Sequence, residues 1–304
     1  MKEKDAVAQA KEQARKAREK VEKLSTEGSA LFKLGSEAAE STTTYLREVN
    51  ESEVPKDVGQ PHLMRLPLHA QESTWAQHAK VQLALSGYGG EYRSLKTTQV
   101  EGKGQRLLQP KEGKEETDIM FSQVASLLEL DKAAATVKSP ASTIIESTML
   151  FGLEPGREFC SFSPQALACV KVLVIGEIAF MTCSAKSLMS AWETLKFGPI
   201  NAETLEEKVL ALSVEDVGKL KGAGCPMYAG RLKAAGSLFI PAGWVVLERA
   251  MPKAQLIYGV RKSYVIKKPA AHADYAAAIS LMQVSGSKKV EKYKIVLETM
   301  KDPS

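Results

Sequence analysis

From Ser142 onward the apolar residues fall in short runs broken by Gly, Pro and polar turns, a pattern that predicts strands. Thr143 to Phe151, Glu158 to Phe162, Ala168 to Ile175 and Ile178 to Cys183 form a first group, with a turn at Glu154-Pro155-Gly156 and a hairpin turn at Gly176-Glu177. Ser184 to Ala223 then changes to helical texture. One helix is expected around Ala185–Lys196, a second from an Asn201 cap, and a third from Ser213 with Asp216 at the capping-box position. Strands resume at Tyr228, and Ser237 to Ile240, the turn Pro241-Ala242-Gly243, Trp244 to Leu247 and Gln255 to Ile266 predict an antiparallel sheet. The last run alternates in part, with Arg261 on one face and Lys262 on the other. Ala270–Met282 and Lys288–Lys301 close the chain as helices. Runs of strands with a helical insert and flanking helices read as an α+β fold with an antiparallel β core.

The N-terminal half has a different texture. Residues 2–24 lack Gly and Pro and are rich in Ala, Lys, Glu, Gln and Arg, which predicts a helix. Its Val7, Ala10, Ala14, Ala17, Val21 and Leu24 stripe has heptad spacing but little apolar area. A second helical piece is expected over Ala30 to Val49, and Asn50 to Gln60 reads as a linker. Glu101 to Lys114 is polar and Gly-rich, another connection. Thr117 to Val137 is amphipathic through Ile119, Phe121, Val124, Leu127, Leu128 and Leu130, and should pack on the β domain. The expected divisions are a charged helical arm (1–50), a linker and irregular region (51–115), a packing helix (116–138), a β domain (139–266) with a helical insert (184–223), and C-terminal helices (267–304).

Composition adds little to this division, since 304 residues with 44% hydrophobic content are ordinary for one large domain with extensions. The net charge of +5 is concentrated at the ends. Residues 1–24 hold eight Lys/Arg against five acids, and residues 286–301 hold five Lys against two. Charged first residues argue against a signal peptide, and no uncharged run approaches the ~18 residues of a membrane helix. An intracellular protein, cytoplasmic or nuclear and away from membranes, is the expectation. Cys160, Cys169, Cys183 and Cys225 have neither metal-site nor redox-pair spacing and read as buried, reduced thiols. His62, His69 and His78 lack the i, i+4 spacing of a metal-binding helix. Glu177 and Glu248 read as solvated edge charges rather than a shared acid–base site. Lys253, Arg261, Lys262, Lys267 and Lys268, with Lys288 and Lys289, are the candidate nucleic-acid contacts.

The segment Ala235-Gly236-Ser237-Leu238-Phe239-Ile240-Pro241-Ala242-Gly243-Trp244 resembles the late barrel stretch of the cupin superfamily, in particular its JmjC-type oxygenase branch. There a Gly-Asp-hydrophobic-Pro-x-Gly-Trp stretch leads into a metal-binding histidine. Glu154-Pro155-Gly156 through Gly176 resembles the first half of the same barrel. The resemblance implies a double-stranded β-helix that binds Fe(II) through two histidines and a carboxylate, with 2-oxoglutarate as cosubstrate. Counting from Trp244, the distal histidine falls on Val246; counting back from Gly176, the His-x-Asp pair falls on Ser163-Pro164-Gln165. No histidine occurs between Ser142 and Ile266, so this barrel lacks the iron ligands.

The sequence therefore points to a degenerate cupin/JmjC-like barrel serving as a non-catalytic binding or scaffold module with no cofactor. Its pocket candidates are Ser163, Gln165, Trp244 and Val246, with Trp244 more a core residue than a ligand-stacking one. A protein partner is expected, with self-association through the N-terminal helix as one form. The alternatives are a nucleic-acid-associated protein using the basic terminal helices and the Arg261–Lys268 strand, and a residual oxygenase-like enzyme.

Overall fold

The computed structural model describes residues 42–65, 121–130, 149–153, 158–162, 166–201, 204–251, 257–267, 269–283 and 290–301. Expectations for residues 1–41, 66–120, 131–148 and the Pro155-Gly156 turn lie outside the described residues. The architecture is α+β, with two five-stranded sheets. The first sheet has the order β1 (Thr44–Leu46), β7 (Tyr228–Lys233), β6 (Glu177–Ser184), β9 (Trp244–Ala250), β4 (Glu158–Phe162). The second has the order β2 (His62–Arg65), β8 (Gly236–Ile240), β5 (Ala168–Ile175), β10 (Ile257–Tyr264), β3 (Met149–Leu153). Every pairing is antiparallel except that of β1 with β7.

The expected strands form, but the expected Gly176-Glu177 hairpin does not. From β3 to β10 the chain changes sheet at every step except β6 to β7, which are adjacent in the first sheet. Gly176-Glu177 is therefore not a hairpin turn: β5 and β6 lie in different sheets. Gly176 (φ 93°) instead makes a bend that carries the chain across. The β7–β8 crossing lies beside it, Ala234 N–H donating to Gly176 O (3.2 Å) and Ala235 N–H to Leu173 O (2.9 Å).

Alternate side chains leave each strand on opposite faces, and here both faces are covered. One face supplies a cluster drawn from both sheets, including Leu173, Ile178, Phe180, Leu232, Leu238, Ile240, Trp244 and Val246, which fills the space between them. The opposite face supplies Val170, Val172, Met181, Cys183, Phe239, Val245 and Leu247, buried with the helices. Double coverage explains why β5, β6 and β9 read as near-continuous apolar runs rather than alternating ones.

The insert between β6 and β7 holds α1 (Ala185–Thr194), α2 (Leu205–Leu210) and α3 (Val214–Gly222). Ser184 caps α1, its hydroxyl oxygen accepting from Ser187 N–H at 3.2 Å, and Ser213 with Asp216 forms the expected capping box on α3. Asn201 caps one turn early, accepting from Thr204 N–H at 2.9 Å, and α2 begins at Leu205. Two closing helices follow, α4 (Pro269–Gln283) and α5 (Val290–Lys301). α4 packs on α1, α5 and β9, burying Ala271, Tyr275, Ala278 and Ile279 at helical spacing.

Two expectations change in the N-terminal part. Thr44–Leu46, expected as helix, is an edge strand, and His62–Arg65, expected as irregular, is another. Together they strap residues 42–65 across the β7 and β8 edges, joined by the Val49–Met64 bridge, which leaves neither edge open. Thr44 N–H donates to Met227 O (2.8 Å) and Arg65 N–H to Val49 O (2.9 Å). Residues 121–127 are helical as expected, burying Phe121, Val124 and Ala125, but the helix breaks in a turn at Leu128-Glu129, where Glu129 has φ 53°, instead of running on unbroken toward Val137; Leu128 and Leu130 join the same cluster. Among the described residues no helix is long and apolar enough to cross a membrane.

Candidate functional site

The Pro241-Ala242-Gly243 turn delivers Trp244 to the end of the inter-sheet space. Trp244 is 4% exposed, its ring 5.6 Å from that of Tyr228 at an interplanar angle of 46°. Two residues on, Val246 is buried in the same apolar cluster, paired across the strands with Thr182 and Ser161. Thr182 is also buried, but its hydroxyl is used by Val245 O at 2.8 Å. The position that the cupin resemblance gives to an imidazole thus carries an isopropyl group with no lone pair. Ser163 and Gln165 lie outside the described residues. Among the described residues no group of three or more His, Cys, Asp and Glu side chains could hold a metal ion.

The described histidines have structural surroundings. His62 stacks on Phe239 at 6.1 Å with a ring nitrogen against Asp57 O, and burial holds its pKa below the ordinary value. His272, in the first turns of α4, is half-buried with its Nε2 unpartnered among the described residues. His69 and His78 lie outside them.

Sequence reasoning missed one polar feature of the inter-sheet space. Glu248, expected as a solvated edge charge, is buried on β9 and ion-paired with Lys171 of β5, so one salt bridge joins the two sheets. Such a pair is costly to desolvate, and each charge offsets part of the other's burial cost. Lys171 is also the cross-strand neighbour of Arg261 on β10, so both face the inter-sheet side. Cys169, buried near these charges, has its thiol pushed up to about 11 by desolvation, against the opposing pull of Lys171 and Arg261. A charged residue inside each of the apolar runs Ala168 to Ile175 and Trp244 to Ala250 was the available signal.

Arg261 and Lys262, the described candidates on β10, leave the strand on opposite faces. Arg261 points between the sheets, whereas Lys262 pairs with Val170 on the helix-covered face. Lys267 is half-buried, and Lys253, Lys268, Lys288 and Lys289 lie outside the described residues. Glu177 stays at the strand start and pairs with Arg231 at 3.1 Å.

At the turn end, α4 closes on the sheets. Ser184 Oγ donates to Asp274 at 2.5 Å, and Gly243 N–H donates to Ala166 O at 2.6 Å. Burial raises the Asp274 pKa, opposed by the Ser184 hydrogen bond, by Trp244 and by the Lys186 charge. The Trp244 indole nitrogen acts on that carboxylate from outside hydrogen-bond geometry.

All four cysteines are buried and free, matching their reading as reduced thiols. Cys183 is held well above its usual range, first by a hydrogen bond with Cys225 and then by burial, and burial pushes Cys160 up as well. Thiols so placed are poor nucleophiles. Among the described residues the inter-sheet cluster is apolar, with the Lys171–Glu248 ion pair beside it. No family model and no curated protein matches this chain.

Proposed function

We propose that this protein is a non-catalytic binding or scaffold module built on a degenerate cupin/JmjC-like double-stranded β-helix. The sheet-to-sheet alternation of β3 through β10 supports the barrel reading, because two four-strand sheets threaded alternately are how that architecture closes. The observation that carries the functional reading is Val246, seated with Trp244 in the inter-sheet hydrophobic cluster where the resembled family holds its iron. Side chains of the protein itself fill that space, so recognition falls to the outer surface and a protein is the partner class. The nucleic-acid alternative has less support, since Arg261 and Lys262 leave β10 on opposite faces.

The test uses the full chain and two readouts. Anaerobic Fe(II) with 2-oxoglutarate at ~100 times a typical dissociation constant would stabilise a competent site by about 2.7 kcal/mol. No change in melting temperature is expected; an upward shift with one iron per chain would restore the oxygenase reading. In parallel, capture from nuclease-treated extract should retain discrete proteins whose binding survives the treatment. Retention that nuclease or moderate salt abolishes would replace the scaffold reading with the nucleic-acid one.

A further inference from the structure

Residues 42–65 strap two sheet edges, and the two halves of the strap are held unequally. The β2 half is fixed: Val58, His62, Leu63 and Met64 are buried, His62 stacks on Phe239, and all four residues of β2 pair with β8. The β1 half is light. Its three residues meet only the first three of the six in β7, Thr44 opposite Tyr228, Tyr45 opposite Ala229 and Leu46 opposite Gly230. Thr44 is exposed, Tyr45 and Leu46 are half-buried, and Thr43, buried just ahead of the strand, anchors it. Among the described strands this is the one parallel pairing, the slightly weaker kind per residue. The next position in register would set Arg47 opposite Arg231, and the pairing stops there. Like charges directly opposite each other destabilise a sheet.

We propose that the β7 edge is a strand-docking site for a protein partner, which supplies in place of β1 an extended segment of two apolar residues followed by Asp or Glu. The inference rests on the scaffold reading and specifies the edge that meets the partner. Main-chain hydrogen bonds give such docking its affinity, and alternate side chains give it specificity. The partner's apolar pair would stand opposite Ala229 and Gly230, where Leu46 now packs against the inter-sheet cluster. Gly230 admits a backbone closely, since an added Cβ would lie 3.0 Å from Leu46 O. The partner's carboxylate would stand opposite Arg231, where Lys233 follows on the same face and Glu177 is the one acid paired across to them. Two cations against one carboxylate favour an acid over the Arg47 of the strap. Because β2 keeps β1 tethered beside the edge, β1 acts as an internal competitor and lowers the apparent affinity for the partner by the fraction of chains with a free edge.

Hydrogen exchange of the full chain, read residue by residue, tests whether β1 opens locally. The Thr44 amide, which donates to Met227 O at 2.8 Å, should exchange at least about tenfold faster than the amides of the β2–β8 ladder. Docking is then read by fluorescence anisotropy with a labelled synthetic peptide of residues 42–50 carrying Arg47→Glu. The probe should bind the full-length Thr44→Pro variant about tenfold more tightly than the wild-type chain, because proline removes the hydrogen bond that holds β1. It should also bind more tightly than the same peptide with Arg47 retained. Equal protection of Thr44 and the β2–β8 ladder in the wild-type chain would overturn the proposal even if Thr44→Pro fails to fold. So would absence of peptide binding, equal affinity for the two chains, or no preference for the acidic peptide. Discrete proteins captured from extract without any such peptide binding would leave the scaffold reading standing and place its partner on another surface.

Discussion

Replacing Gly243 with Ala tests whether α4 closes on the turn before Trp244. The residue has φ +73°, and an added Cβ would stand 2.1 Å from Asp274 C, 2.2 Å from Asp274 O and 2.5 Å from Tyr275 N. All three are backbone atoms of a helix whose Tyr275, Ala278 and Ile279 are buried, so no side chain can swing aside. Ordinary contact begins near 3.4 Å, and α4 would have to retreat by about 1.3 Å. The left-handed backbone costs an alanine about 1–2 kcal/mol, and forcing a packed core apart adds about 1–3 kcal/mol. Gly198 is an internal control: its φ is +87° but nothing lies within 4 Å of the added Cβ. Gly198→Ala should therefore show the conformational cost alone. Urea denaturation of both variants, followed by near-ultraviolet circular dichroism, should show Gly243→Ala less stable than Gly198→Ala by about 1–3 kcal/mol. Equal losses within about 0.5 kcal/mol would refute the docking of α4 on this turn.

The cross-sheet ion pair predicts a non-additive cycle. Lys171→Met or Glu248→Leu alone removes one member of a buried pair and should cost about 3–5 kcal/mol, while the double variant should return close to wild-type stability. Additive losses in urea titrations would show that the two charges do not depend on each other. Asp274 predicts a pH effect of definite sign. Its folded pKa lies above the unfolded 3.8, so its contribution to stability is greatest in acid and declines as pH rises from 3.8 through the folded value. Asp274→Asn should accordingly gain on the wild type between about pH 4 and pH 7; a stability difference that stays constant or narrows over that range would contradict the desolvation of this carboxyl.

Local features were legible because their causes are local. The Ser213/Asp216 capping box, the apolar runs that become β4, β5, β8 and β9, and the two closing helices all follow from residues within a few positions of one another. The burial of Trp244 beside a tight turn was legible for the same reason. The β1 strand was not: Thr44-Tyr45-Leu46 carries too little apolar periodicity to declare a state, and it becomes extended only because the β7 edge supplies hydrogen-bond partners. Gly176-Glu177 looked like a hairpin because a glycine between two apolar runs has the same local signature whether the next strand pairs back or crosses to another sheet.

By itself the sequence determined the α+β composition and the absence of histidine between Ser142 and Ile266. Each of these depends on which residues are present, and no arrangement in space can change them. Tertiary structure alone decided which strands are neighbours, that Glu248 is buried rather than solvated, and that Arg261 shares the side of Lys171. Glu248 and Lys171 stand 77 residues apart in sequence, and each satisfies the other only when the two sheets meet. Their burial is a property of that meeting, set by strand order and register, which short-range propensity does not encode.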